Sequence, residues 1–527
     1  MNLTISSAPG WTPDETRLLT PYVTSVEAPV FCLRNLPEEV VAVLFAYYSR
    51  SEQDLRRNLL KLLEERDLDL IGAPLAPEGE DSEDLARARE KAREFHEKWV
   101  VGYGHASVAE HAVAHVAIED VSIVASKVIE DARLASYTEK STRYVPFPRR
   151  YYELPELAGA SRYRETMEGL FDLYAELLDP LTEAVAEQAD RSAFKTERGY
   201  RNSCRAQACD ALRYLLPAAT HTNLGLTANA RTLEHLISKL LSQPLQELRE
   251  IGTRIKQEAG VVIPTLIKYA RPSVYMEETP PALAALATAL LRPGTKENPP
   301  VGGGETPAVQ LVDGPADAEL RLATAILYEF SGLPYETILT RLRGLPREEH
   351  ERVIAEYLAR RRTYGDPAHG YTDPPLRSLE HAVFTFDILV DYGAYRDIQR
   401  HRICTQTTQI LTCREGFDTP ELLVRFGFQS RFEEAMYRAR EAWDGLAATH
   451  PFEAQYAVPL AYRKRVLFSW NLRALHHFIS LRSARQGHPS YRRIAQEVYR
   501  ALETSYPFLA RFIRVDQTPA YGLSRPG

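Results

Sequence analysis

The chain states one pattern twice, and a tandem repeat limits what it can fold into more than any other feature of its sequence. AEHAVAHVAIED around Glu110 is matched by LEHAVFTFDILV around Glu380, and ARLASYTEKSTRY from Ala132 by HRICTQTTQILTC from His401. LLPAATHTNLGLTANARTLEHLISKLL is then matched by AVPLAYRKRVLFSWNLRALHHFISLR, with 12 residues from Pro217 to Asn229 and 12 from Pro459 to Asn471. Ahead of these, EEVVAVLFAYYSRSEQDLRRNLLKLL from Glu38 and AELRLATAILYEFSGLPYETILTRL from Ala318 both carry helical periodicity that breaks and resumes. Order kept across four matches implies duplication. The stretch from Arg271 to Ala316 is too rich in proline and glycine to sit inside packed elements. It predicts an N-terminal copy over 1–271, a linker over 272–315 and a C-terminal copy over 316–527.

Within each copy, EHAVAHVAI and EHAVFTFDI alternate as strands do. SIVASKVIEDARLAS, YGAYRDIQRHRI and the NARTLEHL and NLRALHHF segments have helical spacing. The fold class is therefore α+β, twice over.

Composition bounds what such a chain can bind. Its 64 Lys and Arg against 71 Asp and Glu give a net charge of −7, so no global basic field holds nucleic acid or an anionic membrane. An anion must be met by local arginines. The arginine-rich YRKRV and SYRRIAQEVYR pieces read as surface or interface side chains. The most apolar run, Ala282–Leu291, is far shorter than a spanning helix. MNLTISSAPGWTPDETR has neither the basic nor the apolar part of a secretion signal, so a cytoplasmic location is expected. Five cysteines without a C-x-x-C pair support neither a disulfide framework nor a zinc ribbon. They read mostly as buried small hydrophobes. His105, His111 and His115 with Glu110 imitate a metal site, but the second copy has Thr385 in place of His115, and no metal is expected. Ser141 has no nearby His/Asp pair to make it a nucleophile.

The N-terminal half carries GHASVAEH (Gly104–His111), RLASYTEKSTRY (Arg133–Tyr144) and NARTLEHL (Asn229–Leu236). The C-terminal half carries LEHAVFTF (Leu379–Phe386), RHRI (Arg400–Ile403) and NLRALHHFISLR (Asn471–Arg482). In order and spacing these resemble the motifs of flavin-dependent thymidylate synthases, over nearly the whole chain apart from the linker. The resemblance implies that fold in two tandem copies, a twisted antiparallel sheet flanked by helices. It also implies reductive methylation of dUMP to dTMP, with methylenetetrahydrofolate as carbon donor, NADPH as reductant and non-covalent FAD as cofactor. The family assembles its site across a homotetramer, so a fused duplicate is expected as a homodimer.

Carried over residue by residue, the resemblance assigns dUMP to Glu139, Ser141, Thr142, Arg143 and Arg213 of the first half, with Arg400 and Arg482 of the second. Arg213, Arg400 and Arg482 act on the reacting nucleotide. It assigns FAD to His401, Arg402, Asn229, Arg231, Asn471, Arg473, Glu110, Glu380, His235 and His477. The halves are complementary. The first has Asp131 and Leu240 where the second has Arg400 and Arg482, and the second has Thr408, Ile410, Thr412 and Gln455 where the first has its nucleotide set. An aspartate at a phosphate position repels a dianion. One class of site thus survives and its mirror has decayed. A glutamine frequent just before the R-H-R triplet is replaced by Asp397 in one half and Val128 in the other.

Two other readings stay open. One is a catalytically silent relative that binds flavin or a pyrimidine nucleotide for regulation or scaffolding. The other is a flavoenzyme of the same fold with another substrate.

Overall fold

A computed structural model describes residues 10–48, 53–64, 107–154, 159–291, 307–361 and 373–519. Gly104, His105 and linker residues 292–306 lie outside the described residues. The chain divides into two compact units, one of residues 1–119, 134–139 and 223–293, the other of 120–133, 140–222 and 294–527.

The first unit holds the sheet of β1 (Val113–Ser122), β2 (Ala135–Glu139) and β3 (His221–Asn229), in the order β1-β3-β2. β2 runs antiparallel to β3, with Ala135 opposite Ala228 and Glu139 opposite Leu224. A helix, Ala230–Leu241, leaves β3 directly because the Asn229 side chain accepts the Thr232 amide at 2.9 Å and caps it. The helical stretch from Glu38 resolves into Glu38–Tyr48 and Leu55–Glu64, whose Val40, Leu44, Leu55 and Leu59 bury against Leu19 and Val23.

The second unit holds β4 (Val309–Asp313), β5 (Val383–Asp391), β6 (Thr405–Thr408) and β7 (Arg463–Asn471), in the order β4-β5-β7-β6, all antiparallel. Alternation puts Phe384, Phe386, Ile388 and Val390 of β5 in the core with Val466, Phe468 and Trp470 of β7. The Phe468 and Trp470 rings stack 4.5 Å apart. The order β5-β7-β6 repeats β1-β3-β2, and the caps repeat too. Asn471 accepts the Ala474 amide at 2.8 Å, as Asn229 does in its copy. Ser122 and Asp391 cap the helices Ile123–Ile129 and Tyr392–Ile398.

The Leu216-Pro217 turn of the first half and the Val458-Pro459 turn of the second pair inside this second unit. Ala218 donates to Val458 O at 2.8 Å and Leu460 donates to Leu216 O at 2.9 Å; Ala219 to Tyr456 O and Ala461 to Tyr214 O form the next exchange. Each bond has its counterpart with donor and acceptor halves swapped, the signature of a two-fold relation. The duplicated segments are therefore partners across a pseudo-dyad within one chain.

Val309–Asp313 is β4, paired with β5, so sheet structure begins before 316. The Ala/Leu piece of the linker is part of a helix, Val274–Leu291, none of whose residues is buried. One boundary between the units, 293/294, falls inside the linker, and the paired turns also draw 140–222 of the first half into the second unit.

Candidate functional site

Seven side chains meet in the second unit around the helix Glu197–Leu212, the helix Tyr392–Ile398 and the helix Pro489–Ser505. Arg143 holds Asp210 with both prongs of its fork, at 2.8 and 3.0 Å, and donates its third group to Tyr491 Oη at 3.0 Å. Arg213, 2 % exposed, donates to Asp397 Oδ2 at 3.3 Å and lies 3.8 Å from Asp210. Arg482 donates to His401 Nε2 at 2.7 Å and sits over the Tyr491 ring, 5.2 Å from its centre.

Asp397 is the hub. Burial would push its pKa up, but Arg213, Arg143, Arg482 and Arg400 together hold it below the usual carboxylate range. These are the four arginines assigned to the nucleotide, two from each half. Asp210 behaves alike: burial raises it, and the charges of Arg143 and Arg213, with the Arg143 hydrogen bonds, more than reverse the effect. His488 is pushed down to about 3 by burial and is neutral at physiological pH. Four guanidinium groups stand against Asp397, Asp210 and, on the far side of Arg213, Asp391, which leaves the cluster net positive and suited to a phosphate. Arg213 Nε and one terminal nitrogen are buried donors with no hydrogen-bond partner. Leaving such a donor unpaired costs about 1–3 kcal/mol.

The other positions fall nearby or in the first unit. Ser141 accepts the Arg143 amide at 3.2 Å, and Thr142 accepts from Arg396 at 3.3 Å. Glu139 is buried at the end of β2, in the first unit. There too Asn229 is a helix cap, Arg231 pairs with Glu110, and His235 is exposed. His115 is hydrogen-bonded to Thr227 at 2.9 Å, and His111 stacks on Phe45.

Beside the arginine cluster opens a cavity of about 1120 Å³, lined by His401, Arg402, Glu380, Asn471, Arg473 and His477. All the C-terminal positions assigned to FAD thus face one space, shared with Arg400 and Arg482. Arg473 donates to Glu380 at 3.0 Å, repeating the Arg231–Glu110 pair of the other copy. His401, buried and close to Arg482 and His477, is held neutral, its pKa well below the usual range.

Sequence reading passed over Asp210, His488 and Tyr491. Asp210 precedes Arg213 by three residues, one helical turn, and that spacing was the available signal. Tyr491 and Arg492 belong to the piece read as surface. Arg492 is instead 2 % exposed and donates to Ser483 O at 2.9 Å. On the mirror side Thr408 pairs with Val466 as Glu139 pairs with Leu224, and Arg414 donates its amide to Thr412 Oγ1 at 3.3 Å. Arg414 is exposed, over the Trp443 ring, and Phe452 precedes Gln455 as Asp210 precedes Arg213.

The family model for Thy1, the thymidylate synthase complementing proteins, matches the chain twice, over residues 64–265 and 315–508. The chain belongs to the Thy1 family. It is a tandem duplicate of the Thy1 unit, α+β in both copies. A UPF0159 protein of Chlamydia muridarum is 36% identical over 513 residues, 94% of this chain and 93% of its own. A flavin-dependent thymidylate synthase of Saccharolobus solfataricus is 30% identical over 209 residues, 37% of this chain and 72% of its own. The solved structure of flavin-dependent thymidylate synthase ThyX from Helicobacter pylori, complexed with FAD and dUMP, spans 40% of this Thy1 chain at 16% identity and a TM-score of 0.29. Among the described residues no helix is long and apolar enough to cross a membrane.

Proposed function

We propose that this Thy1 protein is a flavin-dependent thymidylate synthase-like enzyme that binds dUMP at the Asp397 cluster and FAD in the adjoining cavity. The observation that carries the reading is the arginine cluster itself, with Arg213 on Asp397, Arg143 on Asp210, and Arg482 and the exposed Arg400 near enough to help hold the Asp397 carboxyl below its usual range, a net positive charge suited to a nucleoside monophosphate. FAD fits the cavity's size and its cationic lining, with His401, Arg402, Arg473 and His477 as its holders. When bound, it would supply the hydride chemistry of a reductive methylation in which NADPH is the reductant and methylenetetrahydrofolate the carbon donor.

The chain's own part is orientation and charge. Arg213 offers two unmet N–H donors, and the buried arginines remain charged at any working pH. Arg400 and Arg482 border both sites, so they can hold a nucleotide against whatever fills the cavity. Such fixed charges need no reorganisation during reaction. If each half replaces one family subunit, two chains supply four copies.

One observation favours a silent nucleotide binder instead: the Arg143 fork is already spent on Asp210 and Tyr491. Photoreduced, FAD-loaded protein should be reoxidised on adding dUMP and methylenetetrahydrofolate, with dTMP formed. Binding of dUMP without turnover would establish the silent reading. No dUMP binding at all would refute both.

A further inference from the structure

A second cavity, of about 450 Å³, shares no residue with the large one. It is walled by the helix Glu197–Leu212, the helix Pro489–Ser505 and the segment from Asp418 to Arg425. Asp210 and His488 line it, but Arg143, Arg213, Arg400, Arg482 and Tyr491 do not. The histidine's proton has one place. Ser490 donates its amide to His488 Nδ1 at 3.1 Å, so the neutral ring carries its hydrogen on Nε2. Asp210 Oδ1 is 3.8 Å from that nitrogen, too far for a hydrogen bond. A single hydroxyl meets both, accepting from the imidazole and donating to the carboxylate. Gln496 adds an acceptor: its amide nitrogen is committed to Asp516 O at 2.8 Å and Thr518 O at 3.2 Å, and Oε1 remains.

Charge narrows the ligand further. Each charged group of the lining already has a counter-charge: Asp210 takes the Arg143 fork, Asp418 accepts from Arg463 at 2.8 Å and Glu421 from Arg425 at 2.7 Å. Arg492 lies 3.7 Å from Asp516, and Arg493 lies 3.5 Å from Asp418. A charged ligand would give up water here and find no free partner. Ala211, Tyr214, Pro420, Leu422 and Pro489 supply apolar wall, which a sugar alone would leave bare. A flat apolar ring joined to a hydroxyl-bearing sugar, without phosphate, meets all these conditions.

We propose that this second cavity binds an uncharged nucleoside, with a sugar hydroxyl between His488 and Asp210 and the base on the apolar wall. The site is separate from the proposed reaction and requires neither flavin nor dUMP.

Uridine is the probe, titrated calorimetrically into the full chain with and without excess dUMP. One uridine should bind per chain, equally in both titrations. Leu422→Trp, at a half-buried position, fills the cavity and should abolish uridine binding while dUMP affinity changes less than twofold. His488→Asn keeps an oxygen to cap the helix but removes the ring donor, and should weaken uridine about three- to tenfold. No uridine binding by the unmodified protein, displacement of uridine by dUMP, or undiminished binding by either folded variant would overturn the site. Uridine binding with the expected losses, in protein that binds neither dUMP nor FAD, would sustain the site and refute the proposed function.

Discussion

At the scale of single residues, Tyr491 is the side chain that most alters how the nucleotide cluster works. Its phenol accepts from Arg143 and leaves its own proton free for an anion, while its ring lies between Arg143 and Arg482. Gly487 makes room: a Cβ there would stand 2.6 Å from the tyrosine ring and 2.9 Å from Arg492 Cγ. Tyr491→Phe should weaken dUMP about three- to tenfold by calorimetry, because a buried guanidinium N–H loses its acceptor and the ligand loses a donor, worth roughly 1 kcal/mol together. Gly487→Ala should do the same by displacing the ring. Unchanged affinity in both would show that the ring is packing alone. The arginines of this cluster were legible in the sequence because motif spacing carries them. Tyr491 and Asp210 were not, since an aromatic in an arginine-rich helix and an acid one turn from an arginine both look like ordinary surface spacing until tertiary packing buries them.

At the scale of elements, caps decide where each helix begins, and one of them carries strain. Asp391 is fully buried, caps Tyr392–Ile398 through the Ala394 amide at 2.7 Å, and accepts the Ser490 hydroxyl. Burial and then the nearby Asp418 push its pKa up to about 6, against the pull of Ser490 and Arg213. The folded state thus holds a proton that the unfolded chain gives up near 3.8, so stability is lost as pH rises through about 4 to 6 and stays lost above. Asn keeps the capping oxygen without the charge. Asp391→Asn should therefore be more stable than the unmodified protein by about 1–3 kcal/mol at pH 7.5, and the gap should close at pH 4, as read from paired melting curves. A gap independent of pH would show that the carboxylate is not the cause. Element types followed from periodicity, including strands β1 and β5 and the helices after Asn229 and Asn471. The pairing of the two halves did not: nothing in the spacing around Pro217 and Pro459 marks that Ala218 bonds to Val458 and Leu460 to Leu216.

At the scale of the whole molecule, duplication places arginines of both halves in one cluster, and on the proposed function one chain supplies both halves of a composite site. The exchanged bonds between the Pro217 and Pro459 turns bring Arg213, which precedes one turn, into the same unit as Arg400 and Arg482 of the other copy. A pseudo-dyad generates two such sites in principle, and selection need preserve only one. On the mirror side Asp131 stands for Arg400, Val128 for Asp397, Gln455 for Arg213 and Phe452 for Asp210, while Arg414 remains but is exposed. An exposed arginine offers little to a phosphate dianion, since solvent screens it. The fused protein should therefore bind one dUMP per chain. Arg143→Ala or Arg213→Ala should cost about 1.5–3 kcal/mol, roughly tenfold or more in affinity, whereas Arg414→Ala and Gln455→Ala should change it less than twofold. Calorimetry gives stoichiometry and affinity in one titration. Two nucleotides per chain, or equal losses in the two groups, would mean that both sites survive and that the sequence asymmetry between the halves has another origin.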